Sequence, residues 1–238
     1  MTYPSIHSED ENGIWLRDDY CDIFFGKGAA GSTSSLKQIY PHLKFWQLHQ
    51  VHGCQLVEAS ADEKKSDAHW TIQNNIGLII KSADCLPVMI SHPEFICAIH
   101  AGWRGIQSDI IGKSLCLLAE KFGSLEHGTA YIGPHIQQSS FQVDFALAIQ
   151  FQKQAADLHI TTPVFRADPE NQDTKAYLDL DQIASAQLRR AGISMPRIFS
   201  LNIDTVQDVR FQSYRRDRSS AGRNLSFVAR RDNFIRIK

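Results

Sequence analysis

The chain lacks most of the features that would place it outside a water-soluble enzyme. Its first 13 residues carry Glu9, Asp10 and Glu11 with no basic stretch leading into an apolar run, so no secretory signal is read there. No window approaches the roughly 18 uninterrupted apolar residues of a membrane span. A cytoplasmic protein without a membrane partner is expected. Charge of one sign is missing too: 25 Lys and Arg against 26 Asp and Glu leave a net charge of -1. Nucleic acid and anionic surfaces are therefore not expected partners, and a small molecule is. There is no Gly-x-Ser-x-Gly elbow, no phosphate-binding P-loop and no dinucleotide fingerprint. Cysteine is sparse and odd in number, five in 238 residues, which fits reduced thiols better than a disulfide framework.

What is present is ample apolar material, 43% of the residues, for one large core. Residues 1–238 are read as a single α+β domain. Three buried strands are expected between Gly77 and Gly105, with Cys85 and His100 at strand ends. A helix is expected from Ile106 to Phe122 with Gly123 as its stop, and a second over Val143 to Leu158. A third runs from Leu178 to Ala191 with Asp179 as a cap. The polar stretch Ala167 to Lys175 reads as a loop. Further strands are expected at Ala130 to Ile132, Arg197 to Leu201, Val209 to Ser213 and Leu225 to Ala229.

Three ligand-type residues stand out within this frame: His52 in Gln50-Val51-His52-Gly53, Cys85 in Ala83-Asp84-Cys85, and His100 in His100-Ala101-Gly102-Trp103-Arg104-Gly105. A His-Cys-His set without a fourth protein ligand is the donor pattern of a catalytic rather than a structural zinc site. Imidazole and thiolate also suit copper, so ligand type does not choose the metal. Cys54 is an alternative sulfur ligand, on the same face as His52 if a strand runs through both. Taken singly, each residue has a plainer role: a satisfied histidine, or a cysteine packed as a small hydrophobe. Asp84 is placed to orient a ligand or to relay a proton. Around Trp103 the small residues Ala101, Gly102 and Gly105 permit close backbone approach. Trp103 offers a stacking surface and Arg104 a fork for phosphate or carboxylate. The plainer reading is a tight strand-to-helix turn. Ser213-Tyr214-Arg215-Arg216-Asp217 with Ala221-Gly222-Arg223 gathers cations beside a tyrosine, either as a solvated face or for an anionic group. His135 is a further pocket candidate.

Read together, these motifs with Ile132-Gly133-Pro134 resemble the YfiH-like laccase-domain family, in that family's order, from about residue 46 onward. The resemblance implies a single-domain α+β fold of layered mixed sheets flanked by helices. It also implies zinc on His52, Cys85 and His100, with Asp84 beside them in the catalytic group. Family members, first labelled polyphenol oxidoreductases, are associated with phosphorolysis of adenosine, inosine, guanosine and methylthioadenosine and with adenosine deamination. Some bacterial relatives are linked to peptidoglycan editing. Purine nucleoside and phosphate are thus the implied substrates, with Arg104, Lys27, Trp103, Tyr214 and Arg215 as binding residues. A monomer or weak oligomer is expected. The chain departs from the family in a shortened N-terminal region. Its Thr-Arg-x-Gly-Gly-x-Ser signature becomes Gly26-Lys27-Gly28-Ala29-Ala30-Gly31-Ser32, and the segment between Ser35 and Phe45 is reduced. Family cysteines are replaced near Ser139 and near Asp204-Thr205.

Other chemistries remain open on the sequence. A copper oxidase of phenols needs about ten histidines arranged for several metals, and this chain has ten in total but no His-x-His pair. A Cys-His hydrolase or amidase would use Cys85 as nucleophile and His100 as base, in keeping with the fold's likeness to toxin deamidases. A binding module would keep the metal for stability alone.

Overall fold

Every residue of the two central strands, Leu86–Ser91 and Ile96–Ala101, is buried, which is why this stretch reads as continuous apolar runs rather than as alternation. The computed structural model describes residues 6–28 and 32–231. Ala29, Ala30 and Gly31 of the altered N-terminal signature lie outside the described residues.

Numbered along the chain, the strands form two six-stranded sheets. The first runs, in order of pairing, Ile6–Glu9 (β1), Gly13–Arg17 (β2), Cys21–Gly26 (β3), Asn224–Arg230 (β17), Ile76–Ser82 (β9) and Lys44–Trp46 (β4). The second runs Ile198–Ser200 (β16), Thr129–Ile132 (β12), Leu86–Ser91 (β10), Ile96–Ala101 (β11), Ala68–Thr71 (β8) and Leu56–Glu58 (β6). Both are mixed: β4 joins β9, β16 joins β12 and β6 joins β8 in parallel, and the other pairs are antiparallel. A small sheet of Gln142–Asp144 (β13), Lys175–Leu178 (β15) and Phe165–Ala167 (β14), and a ladder of Leu48–His49 (β5) with Lys64–Lys65 (β7), complete the set.

Alternation along the strands of the first sheet divides the core. Leu78, Ile80 and Val228 pack with Met89, Ala98 and Tyr131 between the two sheets, while Ile79, Leu225 and Phe227 face the opposite way onto Leu36 of the short helix Thr33–Ile39 (α1). The far side of the second sheet is covered by Ile110–Phe122 (α3), Phe145–Asp157 (α4) and Leu180–Arg190 (α5), through a cluster that includes Val88, Ile99, Leu115, Phe151 and Ile183. The α+β fold of layered mixed sheets flanked by helices is therefore present. Among the described residues no helix is long and apolar enough to cross a membrane.

Four local expectations are corrected. The helix after Gly105 comes in two pieces, Trp103–Gln107 (α2) and α3, because Asp109 takes a left-handed conformation (φ 60°) that breaks the ladder before Gly123 (φ 86°) ends it. The second expected helix begins at Phe145, since Gln142–Asp144 is used as a strand. Residues 209–213 are turns and bends leading to the one-turn helix Tyr214–Asp217 (α6), whose cap is Ser213. His52 lies in a loop, not a strand, with φ 58°. The cap at Asp179 is as expected, its side chain accepting from the Gln182 amide at 3.0 Å.

Candidate metal centre and substrate cleft

Residues 83–85 carry the chain from β9 of the first sheet to β10 of the second, and this crossover puts Cys85 at the open end of both. Antiparallel pairing sets His100 opposite Pro87, two residues from Cys85, so β11 delivers the imidazole to the same end. The ligand atoms of His52, Cys85 and His100 all lie within 4.8 Å of one another. Among the described residues this is the one such group of three or more ligand-type side chains.

Glycine makes the approach possible. A methyl group on Gly102 would stand 3.0 Å from Cys85 Sγ and 3.2 Å from a His52 ring carbon, and one on Gly105 would meet the Gly53 carbonyl at 3.3 Å. The turn between His100 and α2 is pinned from the other side. Gln187 of α5 donates to the Ile106 carbonyl at 2.7 Å, and Gln154 of α4 reaches the carbonyls of Ile106 and Gln107.

The group that organises the trio is Asp67, whose side chain is wholly buried. One oxygen accepts from His100 Nδ1 at 2.8 Å and from the His52 amide at 3.0 Å; the other accepts from Val51 and Gly53 amides at 3.1 and 2.7 Å. A single carboxylate thus shapes the His52 loop and fixes the His100 tautomer, leaving Nε2 as that ring's ligand atom. Burial works to raise the Asp67 carboxyl, and the bonds from His100 and the backbone outweigh it and hold it low. The same contest sets the other partners. Burial raises the Cys85 thiol, but hydrogen bonds from His100 and His52 bring it down to about 6. Burial lowers His100, but Asp67 and Cys85 carry it up to about 9. A thiolate and two imidazoles fit a borderline-soft divalent ion.

A cavity of about 400 Å³ opens on one side of the trio. Trp103, Arg104, Tyr214 and Arg215 line it together with His52 and Cys85, and Phe141, Arg218 and Arg223 join them. The Arg104 guanidinium lies 4.3 Å over the Trp103 ring. Arg215 donates to the Ser140 and Gln142 carbonyls, whereas Arg216 is turned away to the Thr205, Val206 and Phe211 carbonyls and is structural.

Other expected residues are placed differently. Asp84 lines the cavity, but its oxygens accept from Thr205 Oγ1 at 2.7 Å and the Arg215 amide at 2.8 Å rather than orienting an imidazole. Lys27 is not among the lining residues: it is buried with its ammonium on Glu9, at 2.9 Å, and on the Asp10 carbonyl. His135 is buried with both ring nitrogens engaged, by the Gly133 carbonyl and Gln137. Cys54 packs against the helical core and borders a separate cavity with Cys116. The positions where the family's cysteines are replaced do meet, as Ser139 and Ser140 hydroxyls on Asp204 at 3.0 and 2.6 Å. Asp67 was missed because nothing local separates it from a surface acid. The remaining hint is its place immediately before the wholly buried β8.

The whole architecture has solved counterparts. YfiH of Bacillus licheniformis superposes with a TM-score of 0.81 at 19% identity, covering 96% of this chain and 99% of that one. YlmD of Geobacillus stearothermophilus gives 0.80 at 22%, covering 96% and 100%. In sequence, the chain is 31% identical over 191 residues to a purine nucleoside phosphorylase of Xylella fastidiosa, spanning 76% of this chain and 70% of that protein. It is 24% identical over 233 residues to one of Clostridium acetobutylicum, spanning 91% and 94%. Residues 33–231, which hold the trio, Asp67 and the cavity wall, match the family model described as multi-copper polyphenol oxidoreductase laccase, and the chain belongs to that family.

Proposed function

We propose that this chain is a zinc-dependent purine nucleoside phosphorylase, acting on adenosine, inosine, guanosine and methylthioadenosine, with adenosine deamination as a second reaction of the same cleft. The observation that carries the reading is the meeting of His52, Cys85 and His100, two of which, His52 and Cys85, line a cavity that also holds aromatic and guanidinium groups. The similarity to the purine nucleoside phosphorylases of Xylella fastidiosa and Clostridium acetobutylicum supports it. Zinc would be held by those three side chains, and when bound it supplies Lewis acidity.

The chain's own residues do the rest. Trp103 and Tyr214 take the flat base. Among the described residues Asp84 is the cleft's single carboxylate and is engaged by Thr205 and Arg215, so Arg104, Arg218 and Arg223 leave a cationic wall that draws an anionic co-substrate toward the nucleoside. Asp84 acts by positioning the Tyr214-Arg215 turn. In phosphorolysis a phosphate oxygen bonds to C1′ as the glycosidic C–N bond breaks, and the base leaves with the electron pair and takes up a proton. Incubating the zinc-loaded protein with inosine or adenosine, with and without phosphate, tests this. Free base formed only with phosphate is the expected result; no product under any condition would overturn it.

One observation favours a second reading. A Cys85 thiol near 6 is largely thiolate at neutral pH, as a nucleophile requires, so a Cys-His amidase acting on peptidoglycan precursors is the competing proposal. Turnover that survives chelation but not alkylation of Cys85 would select it. Copper-dependent phenol oxidation would require copper content and oxidation to rise together.

A further inference from the structure

A second cavity, of about 270 Å³, lies against the same trio and shares His52, Ala83, Cys85 and Arg223 with the first. It is smaller than the ~300–1,000 Å³ usual for drug-sized ligands and is walled by His49, Gln50 and Lys81 instead of aromatic rings. Lys81 and Arg223 are brought together by strand register. Lys81 of β9 pairs with Leu225 of β17 and Arg223 immediately precedes β17, so both residues come to the same end of the sheet, where both line this cavity. Among the described residues neither forms an ion pair with a carboxylate; Arg223 reaches only the Ala221 and Gly222 carbonyls. The Lys81 backbone is fixed: Gln50 accepts from its amide at 2.8 Å and donates to its carbonyl at 2.7 Å, as a neighbouring strand would. The one carboxylate on this wall, Glu63, is exposed.

From this arrangement we infer that Lys81 and Arg223 form the inorganic phosphate subsite, in the cavity that adjoins the aromatic one at the trio. The two cavities adjoin along His52, Ala83, Cys85 and Arg223, so phosphate held there is next to the nucleoside cleft, as bond formation to C1′ requires. The assignment rests on the proposed phosphorolysis only for its role in turnover, since phosphate binding is measurable alone.

The test titrates inorganic phosphate into the zinc-loaded wild type, Lys81→Met and Arg223→Met by calorimetry, with Lys81→Arg as the charge-preserving control. Phosphate KM is measured alongside wherever inosine is turned over. Each methionine variant should weaken phosphate binding at least tenfold and raise phosphate KM in step, with inosine KM changed less than twofold in Lys81→Met. Lys81→Arg should stay within threefold of wild type, and Glu63→Gln should tighten phosphate about twofold. If wild type turns over no nucleoside yet binds phosphate through Lys81 and Arg223, the subsite stands and the phosphorylase reading falls. Phosphate affinity equal in wild type and both methionine variants, or absence of phosphate binding, would overturn the subsite.

Discussion

Two buried charges at strand ends, His100 in the second sheet and Lys27 just past β3 in the first, have opposite fates. Lys27 is closed off: Glu9 and the Asp10 carbonyl occupy its ammonium away from the cavity. His100 has one nitrogen anchored by Asp67 and the other facing Cys85 and His52. A buried polar group is a candidate for chemistry when its partners fix it and still leave a reactive atom unspent. Lys27 satisfies the first condition and fails the second.

The sharpest way to break this contrast is to remove the sulfur. Cys85→Ala should abolish tight metal binding and lower turnover on the order of a thousandfold, the equivalent of the several kcal/mol a metal contributes. Metal content and kcat measured together check it; retained activity without metal would place the chemistry elsewhere. Next in size, Asp67→Asn should weaken metal binding by about 10–100-fold, the usual cost of losing the partner of a ligating histidine. The chelator concentration that strips half the metal reads this directly.

Trp103→Ala tests the aromatic cavity beside the ligands. Stacking of a base on an aromatic ring is worth ~1–3 kcal/mol, so the nucleoside KM should rise about tenfold while the phosphate KM stays put. The smallest effect belongs to Lys27. Lys27→Met should cost about 1 kcal/mol of stability, because Glu9 keeps its 2.7 Å pair with Arg210, and should leave both KM values unchanged. Hydrogen bonding from Lys27 holds the Glu9 carboxyl below its ordinary value, against the opposing pull of burial. That contribution is present above the unfolded glutamate value and is lost as pH falls through the lower folded one. Thermal melts from neutral to acid pH should therefore show a shallower acid limb in Lys27→Met. A change in phosphate KM instead would return Lys27 to the substrate site.

The sequence makes some of this legible and hides the rest for physical reasons. β9, β10 and β11 are visible because burial on both faces leaves little but apolar residues. Gly123 is visible because a positive φ favours glycine. The break at Asp109 is not, since the helical period of apolar residues continues through it. The trio is legible as residue types with family spacing, and Trp103, Arg104, Tyr214 and Arg215 come with it because each sits in a short motif. Asp67 is not, because its role depends on partners 14 to 33 residues away that only the fold brings near. Lys27 misleads because it occupies the position of a signature arginine while the neighbouring Glu9 and Asp10 capture its charge. Lys81 escapes notice until the fold brings it to the same cavity as Arg223.

X-ray absorption at the metal edge of the purified chain is the most direct test of the metal centre. One ion per chain with a first shell of one sulfur and two imidazoles, lost in Cys85→Ala, is expected. A shell with two sulfurs would bring in Cys54, and a metal-free protein that still releases free base from inosine in the presence of phosphate would contradict the account.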